Sequence, residues 1–268
     1  MRSTKLAQRR RKQLVSKFLI IFIAFVVVIS VSSWFLNRSY LHINKIVVNG
    51  NSAVSDSDLE KITEDILSGK YFFLFPRKNT FIYPQEEVEI AILNSFKQIE
   101  SIDIVRTNFQ TLAIEVEEQE PYALWCFVFD EGVLEDCYFI NEDGLIFSKA
   151  PNFTGDVFFK FYGDLVGTNP IGEYYFKVNN NFNRVNALVD SIKELGLTPI
   201  KLIPLRDSDL ELYMNNGSKI LFSITQSMSE VKDNLKVVLE SETFKNEDLK
   251  NIDYIDLRFG NKVYFKLR

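Results

Sequence analysis

Phe18 to Leu36 reads FLIIFIAFVVVISVSSWFL, nineteen residues without a charged side chain. At about 1.5 Å of rise per residue, such a helix covers roughly the 30 Å hydrocarbon core of a bilayer. The stretch is therefore a candidate single transmembrane helix, and it divides the chain unequally. Arg2, Lys5, Arg9, Arg10, Arg11, Lys12 and Lys17 precede it with no acidic residue among them. Lys and Arg beside a span are retained in the cytoplasm, which predicts a basic cytoplasmic tail at 1–17, a span at 18–36 and an exported remainder. Trp34 and Tyr40 fall where an outer aromatic belt would sit. A cleavable signal peptide is the competing reading, with Val31, Ser32 and Ser33 as the small residues at a cut. Apolar cores of signal peptides run about 7–15 residues, shorter than this one. Both readings place residues 37–268 outside the cytoplasm.

Working outward, the 268-residue chain is 46% hydrophobic and 14% aromatic, ample for a packed core. Without the basic tail, 24 basic residues face 36 acidic ones, a formal charge of −12 on the rest. A surface that neutralises a phosphate backbone needs clustered Lys and Arg, so nucleic acid is not expected as a partner. One His and two Cys leave little from which to build a metal or redox centre; no cofactor, metal or small-molecule substrate is expected. In an oxidising compartment Cys126 and Cys137 are candidates for a disulfide closing a loop over FVFDEGVLED. A pair of buried thiols is the alternative.

The exported part starts with a strand in HINKIVVNGN, where Ile46, Val47 and Val48 lead into a turn at Asn49–Asn51. A helix follows, with Ser55 and Asp58 as a capping-type start, Leu59, Ile62 and Ile66 at helical spacing and Gly69 as its stop. The run YFFLF and the segment from Pro76 to Pro84 form a connection, and Tyr71, Phe72, Phe73, Leu74 and Phe75 read as core lining rather than a partner patch. EEVEIAILNSF fits a second helix, with Val88, Ile92, Leu93 and Phe96 on one stripe and Glu86, Glu87 and Glu89 at the favourable end of the dipole. Two alternating strands complete the module, one carrying Ile102 and Ile104, the other Leu112, Ile114 and Val116. Strand, helix, helix, strand, strand closes one small core over 37–120, and Pro121 marks the boundary.

Residues 121–268 read as mixed α and β, rich in strands. CYFINEDGLIFSKAP suggests two strands about an Asn141–Gly144 turn. Val185, Leu188, Val189, Ile192 and Leu195 mark one helix stopped by Gly196; Met228, Val231, Leu235 and Val238 mark another. DLELYM, KILFSI and YIDLRFGNKVYFKL read as strands. In the last of these, Ile255, Leu257, Phe259, Val263, Phe265 and Leu267 are apolar and all odd-numbered. A two-residue Gly260–Asn261 turn would pair Phe259 with Lys262 and mix the faces, so a three-residue turn with a bulge is expected, with Phe259 in the core.

In the order and spacing of INKIVVNGN with its following helix, IEVEEQEPYA, YFINEDGLIF and YIDLRFGNKVYFK, the chain resembles the FtsQ/DivIB family of bacterial cell-division proteins over nearly its whole length. The resemblance implies an α+β protein with a single N-terminal transmembrane helix, a POTRA-like β-α-α-β-β module and a β-rich domain ending in a hairpin. It also implies a non-enzymatic scaffold of the cytoplasmic membrane at the division septum. Such a scaffold joins partners of the FtsB and FtsL type and helps regulate septal peptidoglycan synthesis. Partner contacts are then expected at Arg258, Phe259, Lys262, Val263, Tyr264 and Phe265, with Lys262–Leu267 an edge strand that accepts a partner strand.

Two rival functions differ in what they require. A POTRA-type polypeptide-transport component would carry tandem modules and a β-barrel, for which 268 residues leave no room. An exported wall hydrolase would need converging carboxylates. Among Glu115, Glu117, Glu118 and Glu120, the first two alternate with Ile114 and Val116, so the group reads as a solvated sheet face without an apolar pocket. His42, just beyond the span, reads as an interfacial polar residue rather than a metal ligand.

Overall fold

The computed structural model describes residues 2–129, 134–153, 155–164, 169–176, 181–245 and 251–268. The chain divides into two compact units, Met1–Glu118 and Gln119–Arg268. In the first, α1 runs over Arg2–Leu36, and its Arg11–Leu36 part is long and apolar enough to cross a membrane. Then come β1 (Lys45–Asn49), α2 (Asp56–Leu67), β2 (Lys70–Tyr71), β3 (Phe75–Pro76), α3 (Gln85–Ser95), β4 (Ile99–Arg106) and β5 (Thr111–Glu118). The sheet order is β1-β5-β4, with β1 parallel and β4 antiparallel to β5. Gly50 turns the chain out of β1 at φ +87°, where a Cβ would run into the Val116 carbonyl oxygen.

The alternation in β5 decides which sheet face meets the helices. Leu112, Ile114 and Val116 are buried with Ile104 against Leu59, Val88 and Ile92, while Glu115 and Glu117 are exposed. This is the expected register. Within α2 the stripe is rotated from expectation: Thr63 and Leu67 are buried with Leu59, and Ile62 and Ile66 only partly. Thr63 is tolerated there because its hydroxyl donates to the Leu59 carbonyl at 2.8 Å. Ser55 occupies the cap position of α2, but its hydroxyl lies against Ser57 Oγ at 2.7 Å and caps no backbone N–H.

The YFFLF run departs most from expectation. It is a hairpin of β2 and β3 whose two central residues, Phe72 and Phe73, sit at φ +48° and +62°. The Leu74 N–H donates to the Tyr71 carbonyl at 3.0 Å, closing the turn. Positive φ at both central positions matches the right-handed twist of a two-stranded ribbon, and it points the pair outward. Phe72 is 86% and Phe73 94% exposed, so neither lines the core.

The second unit holds β6 (Ala123–Phe129), β7 (Leu134–Ile140), β8 (Ile146–Lys149), β9 (Lys160–Tyr162), α4 (Asn181–Glu194), β10 (Pro199–Pro204), β11 (Asp209–Met214), β12 (Lys219–Ser223), α5 (Met228–Glu240), α6 (Glu242–Lys245), β13 (Ile252–Phe259) and β14 (Lys262–Leu267). Among the described residues these strands form one nine-stranded sheet, in the order β14-β13-β12-β11-β10-β9-β6-β7-β8. Parallel neighbours need a crossover, and α5 supplies it between β12 and β13. Val185, Leu188 and Ile192 of α4 and Val231 and Leu235 of α5 are buried in a core shared with Phe161, Leu212 and Phe222. β6 is apolar on both sides because both are covered: Ala123, Trp125 and Phe127 belong to this core, Leu124 and Cys126 to a second cluster with Ala150. The Asn141 side-chain oxygen accepts from the N–H groups of Asp143 and Leu145, and Gly144 completes that turn at φ +83°, where a Cβ would press on the Phe182 ring.

Candidate partner-binding edge

Cys126 and Cys137 face each other in register across β6 and β7 and form a disulfide, with Cα atoms 4.1 Å apart. Residues 130–133 of the loop it closes lie outside the described residues. At the far end of this half of the sheet, the outer side of β8 is met by the protein's own chain. The Ile146 carbonyl accepts from the Gly172 N–H at 2.7 Å, its N–H donates to the Glu173 carbonyl at 2.9 Å, and Leu145 bridges Tyr174. The opposite end is β14, and among the described residues no strand lies beyond it. An uncovered edge presents a row of main-chain donors and acceptors.

How the last hairpin is built differs from expectation. Gly260 and Asn261 form a two-residue turn and Phe259 pairs with Lys262; the expected three-residue turn is absent. Of the two register shifts in the β13–β14 pairing, the one beside the turn lies within β13, where three steps from Asp256 to Phe259 oppose two from Tyr264 to Lys262. The extra residue is a β-bulge, and it switches the faces. Phe259 therefore leaves the core, 55% exposed, and its ring stands edge-on to Tyr264 at 5.3 Å. Pairing of β12 with β13 ends at Asp256. Beyond it, the Leu257 carbonyl accepts from Gln226 Nε2 at 2.9 Å, while Gln226 Oε1 accepts from the Ser223 N–H at 2.8 Å. Asn234 Nδ2 donates to the Gly260 carbonyl at 3.0 Å. Gln226 and Asn234 thus hold the bulge and the turn, and nothing in the hairpin's own sequence announces them.

The six expected contact residues separate into two groups. Val263 is partly buried on the main core. Arg258 is engaged by the protein itself: its Nε and Nη2 donate to both Asp256 carboxylate oxygens at 2.8 and 2.6 Å, and Nη1 donates to Asp209 at 2.7 Å. Burial alone would raise the Asp256 carboxyl, but this fork outweighs it and holds the carboxyl below its ordinary value. The two carboxylates hold the guanidinium above its own. Phe259, Lys262, Tyr264 and Phe265 remain open to solvent. Phe265, 42% exposed, leans on Phe244 with ring centroids 4.8 Å apart, and Leu267 extends the same row.

Neither family models nor curated proteins give a match to this chain. The site thus rests on its own geometry: an uncovered edge, an aromatic pair fixed by a bulge, and two lysines. Lys266 pairs with Asp253 at 3.1 Å. Such an edge can add a partner strand, with main-chain bonds giving affinity and alternate side chains giving selectivity.

The acidic group near the end of β5 also separates. Glu115, Glu117 and Glu120 are exposed, whereas Glu118 turns back onto the loop before α2. Its carboxylate accepts from the N–H groups of Ser52, Ala53 and Val54 and from Ser52 Oγ, at 2.7–3.1 Å. Partial burial would raise this carboxyl, but those bonds outweigh it and hold it below the usual value. Glu118 is a clamp joining β5 to α2 and does not belong to the solvated face expected for it. His42 lies with Nε2 3.3 Å from the Leu36 carbonyl, and burial, the largest influence, lowers its pKa.

Proposed function

We propose that this chain is a membrane-anchored scaffold of the bacterial division machinery, of the kind its resemblance to FtsQ/DivIB implies. In this reading α1 holds the protein in the cytoplasmic membrane, with the basic tail inside and residues 37–268 outside. The second unit presents β14 to bitopic partners of the FtsB and FtsL type, and through them the protein helps regulate septal peptidoglycan synthesis. The observation that carries the reading is the contrast between the two ends of the nine-stranded sheet: the chain's own residues 172–174 bond to Leu145 and Ile146 at the start of β8, while β14 has no described neighbour on its outer side. The Cys126–Cys137 bridge adds support for an oxidising, extracytoplasmic setting.

Isolation of the full-length protein from bacterial membranes, with identification of what accompanies it, tests this function. Single-span membrane proteins with an exported segment able to form a strand are the expected companions. Recovery of an outer-membrane transport barrel instead, or glycan-cleaving activity in the purified protein, would overturn the reading.

A further inference from the structure

The β2–β3 hairpin stands beside the exit of α1. The Leu74 carbonyl accepts from Ser33 Oγ at 3.0 Å and from Asn37 Nδ2 at 2.9 Å. Ser33 lies three residues before the end of the apolar run, about 4.5 Å back along the helix axis from Leu36. The same end of α1 is tied to the module at a second place, where the Leu36 carbonyl accepts from Asn79 Nδ2 at 2.8 Å. The hairpin is thereby held at the level of the span's last turn, with Phe72 and Phe73 at its tip. Both residues adopt a left-handed backbone that bulky side chains rarely take. A soluble turn of this type favours Asn-Gly. Strain and exposure of two large rings at one tip have no return within the unit. Exposed Lys70 and Lys78 flank the hairpin, and both act electrostatically on His42, which itself contacts Leu36.

We propose that the Phe72–Phe73 tip is a membrane-inserting wedge: the two rings enter the outer leaflet beside α1, and Lys70 and Lys78 lie at the phosphates of acidic phospholipids. Aromatic side chains favour the bilayer interface, and lysines near it are attracted to anionic headgroups. The occupant of this apolar tip is lipid because the tip continues the lipid-facing surface of α1, to which it is hydrogen-bonded. With the span and the wedge as two points of attachment, the first unit keeps a fixed tilt on the membrane. The inference rests on α1 being a membrane span and is independent of any strand partner.

The test uses the full-length protein reconstituted into phosphatidylethanolamine–phosphatidylglycerol vesicles, with an environment-sensitive fluorophore on single cysteines introduced by Phe73→Cys or, as a replicate, Phe72→Cys. The native cysteines are consumed in their disulfide. Phe25→Cys in mid-span and Glu117→Cys on the exposed sheet face are the references. At positions 72 and 73 we expect at least threefold weaker quenching by aqueous iodide than at 117, together with strong quenching by spin-labelled lipid. Quenching at 72 and 73 equal to that at 117, with position 25 shielded, would overturn the wedge and leave the span standing. Exposure of position 25 as well would overturn the span itself. Shielding of 72 and 73 from iodide without quenching by spin-labelled lipid would place the tip against protein and defeat the proposal.

Discussion

Glu118 and Arg258 each bind parts of the chain that sequence distance separates. Glu118 receives four donors from the loop before α2. Glu118→Gln keeps the shape but removes the charge, and should cost about 1 kcal/mol in the solvent-screened setting of this loop. The folded pKa of Glu118 is depressed, so its contribution is complete above the ordinary value of 4.5 and is lost as the pH falls through the lower folded value. Thermal unfolding of wild type and variant should accordingly differ at pH 7 and converge in strong acid; an equal gap at both would contradict the clamp. Arg258→Ala leaves the buried Asp256 without its fork and should destabilise the second unit by about 2 kcal/mol, measured by urea unfolding. Arg258→Lys should recover only part of this, because an ammonium cannot reproduce two parallel bonds.

At the scale of elements, periodicity revealed the strands and helices whose own side chains decide their faces. β5 alternates Leu112, Ile114 and Val116 with Ala113, Glu115 and Glu117, and its burial follows that alternation. β10 carries no such signal, because it starts at Pro199 and ends at Pro204, and the strand on one side of it, β9, lies some forty residues earlier in the chain. Two turns were illegible for different reasons. Phe72–Phe73 occupies a backbone usually marked by Asn-Gly, so the residues carry no turn signal and read as core. The bulge in β13 depends on Gln226, thirty-one residues before the Leu257 carbonyl it satisfies, so the odd-numbered apolar pattern placed Phe259 inside. The edge at Lys262–Leu267 is expected mainly from the resemblance to FtsQ/DivIB, and among the described residues β14 does end the sheet. The β6–β7 hairpin yields a further prediction. Replacing Cys126 and Cys137 together by Ala should lower stability by about 2–3 kcal/mol, the amount expected for freeing a loop of this size. Denaturant midpoints of the oxidised wild type and the double variant measure it.

The whole molecule comprises one apolar helix, a unit with a three-stranded sheet and a unit with a nine-stranded sheet whose last strand has no neighbour on its outer side among the described residues. A reporter fused after Arg268 should be active only outside the cytoplasm, and the mature protein should retain Met1 or Arg2 at its N-terminus; a chain beginning near Trp34 would identify a cleaved signal instead. The central claim is that β14 receives a partner strand. Successive N–H groups of a strand point to opposite sides, so of Tyr264 and Phe265 one directs its N–H toward β13 and the other toward the open edge. The most direct measurement compares partner recovery from membranes by the full-length wild type, Tyr264→Pro and Phe265→Pro, with the unfolding temperature of each. One proline should remove the outward donor and abolish recovery of the partner while the protein unfolds within a few degrees of wild type. Undiminished recovery by both variants, each folded, would contradict the account.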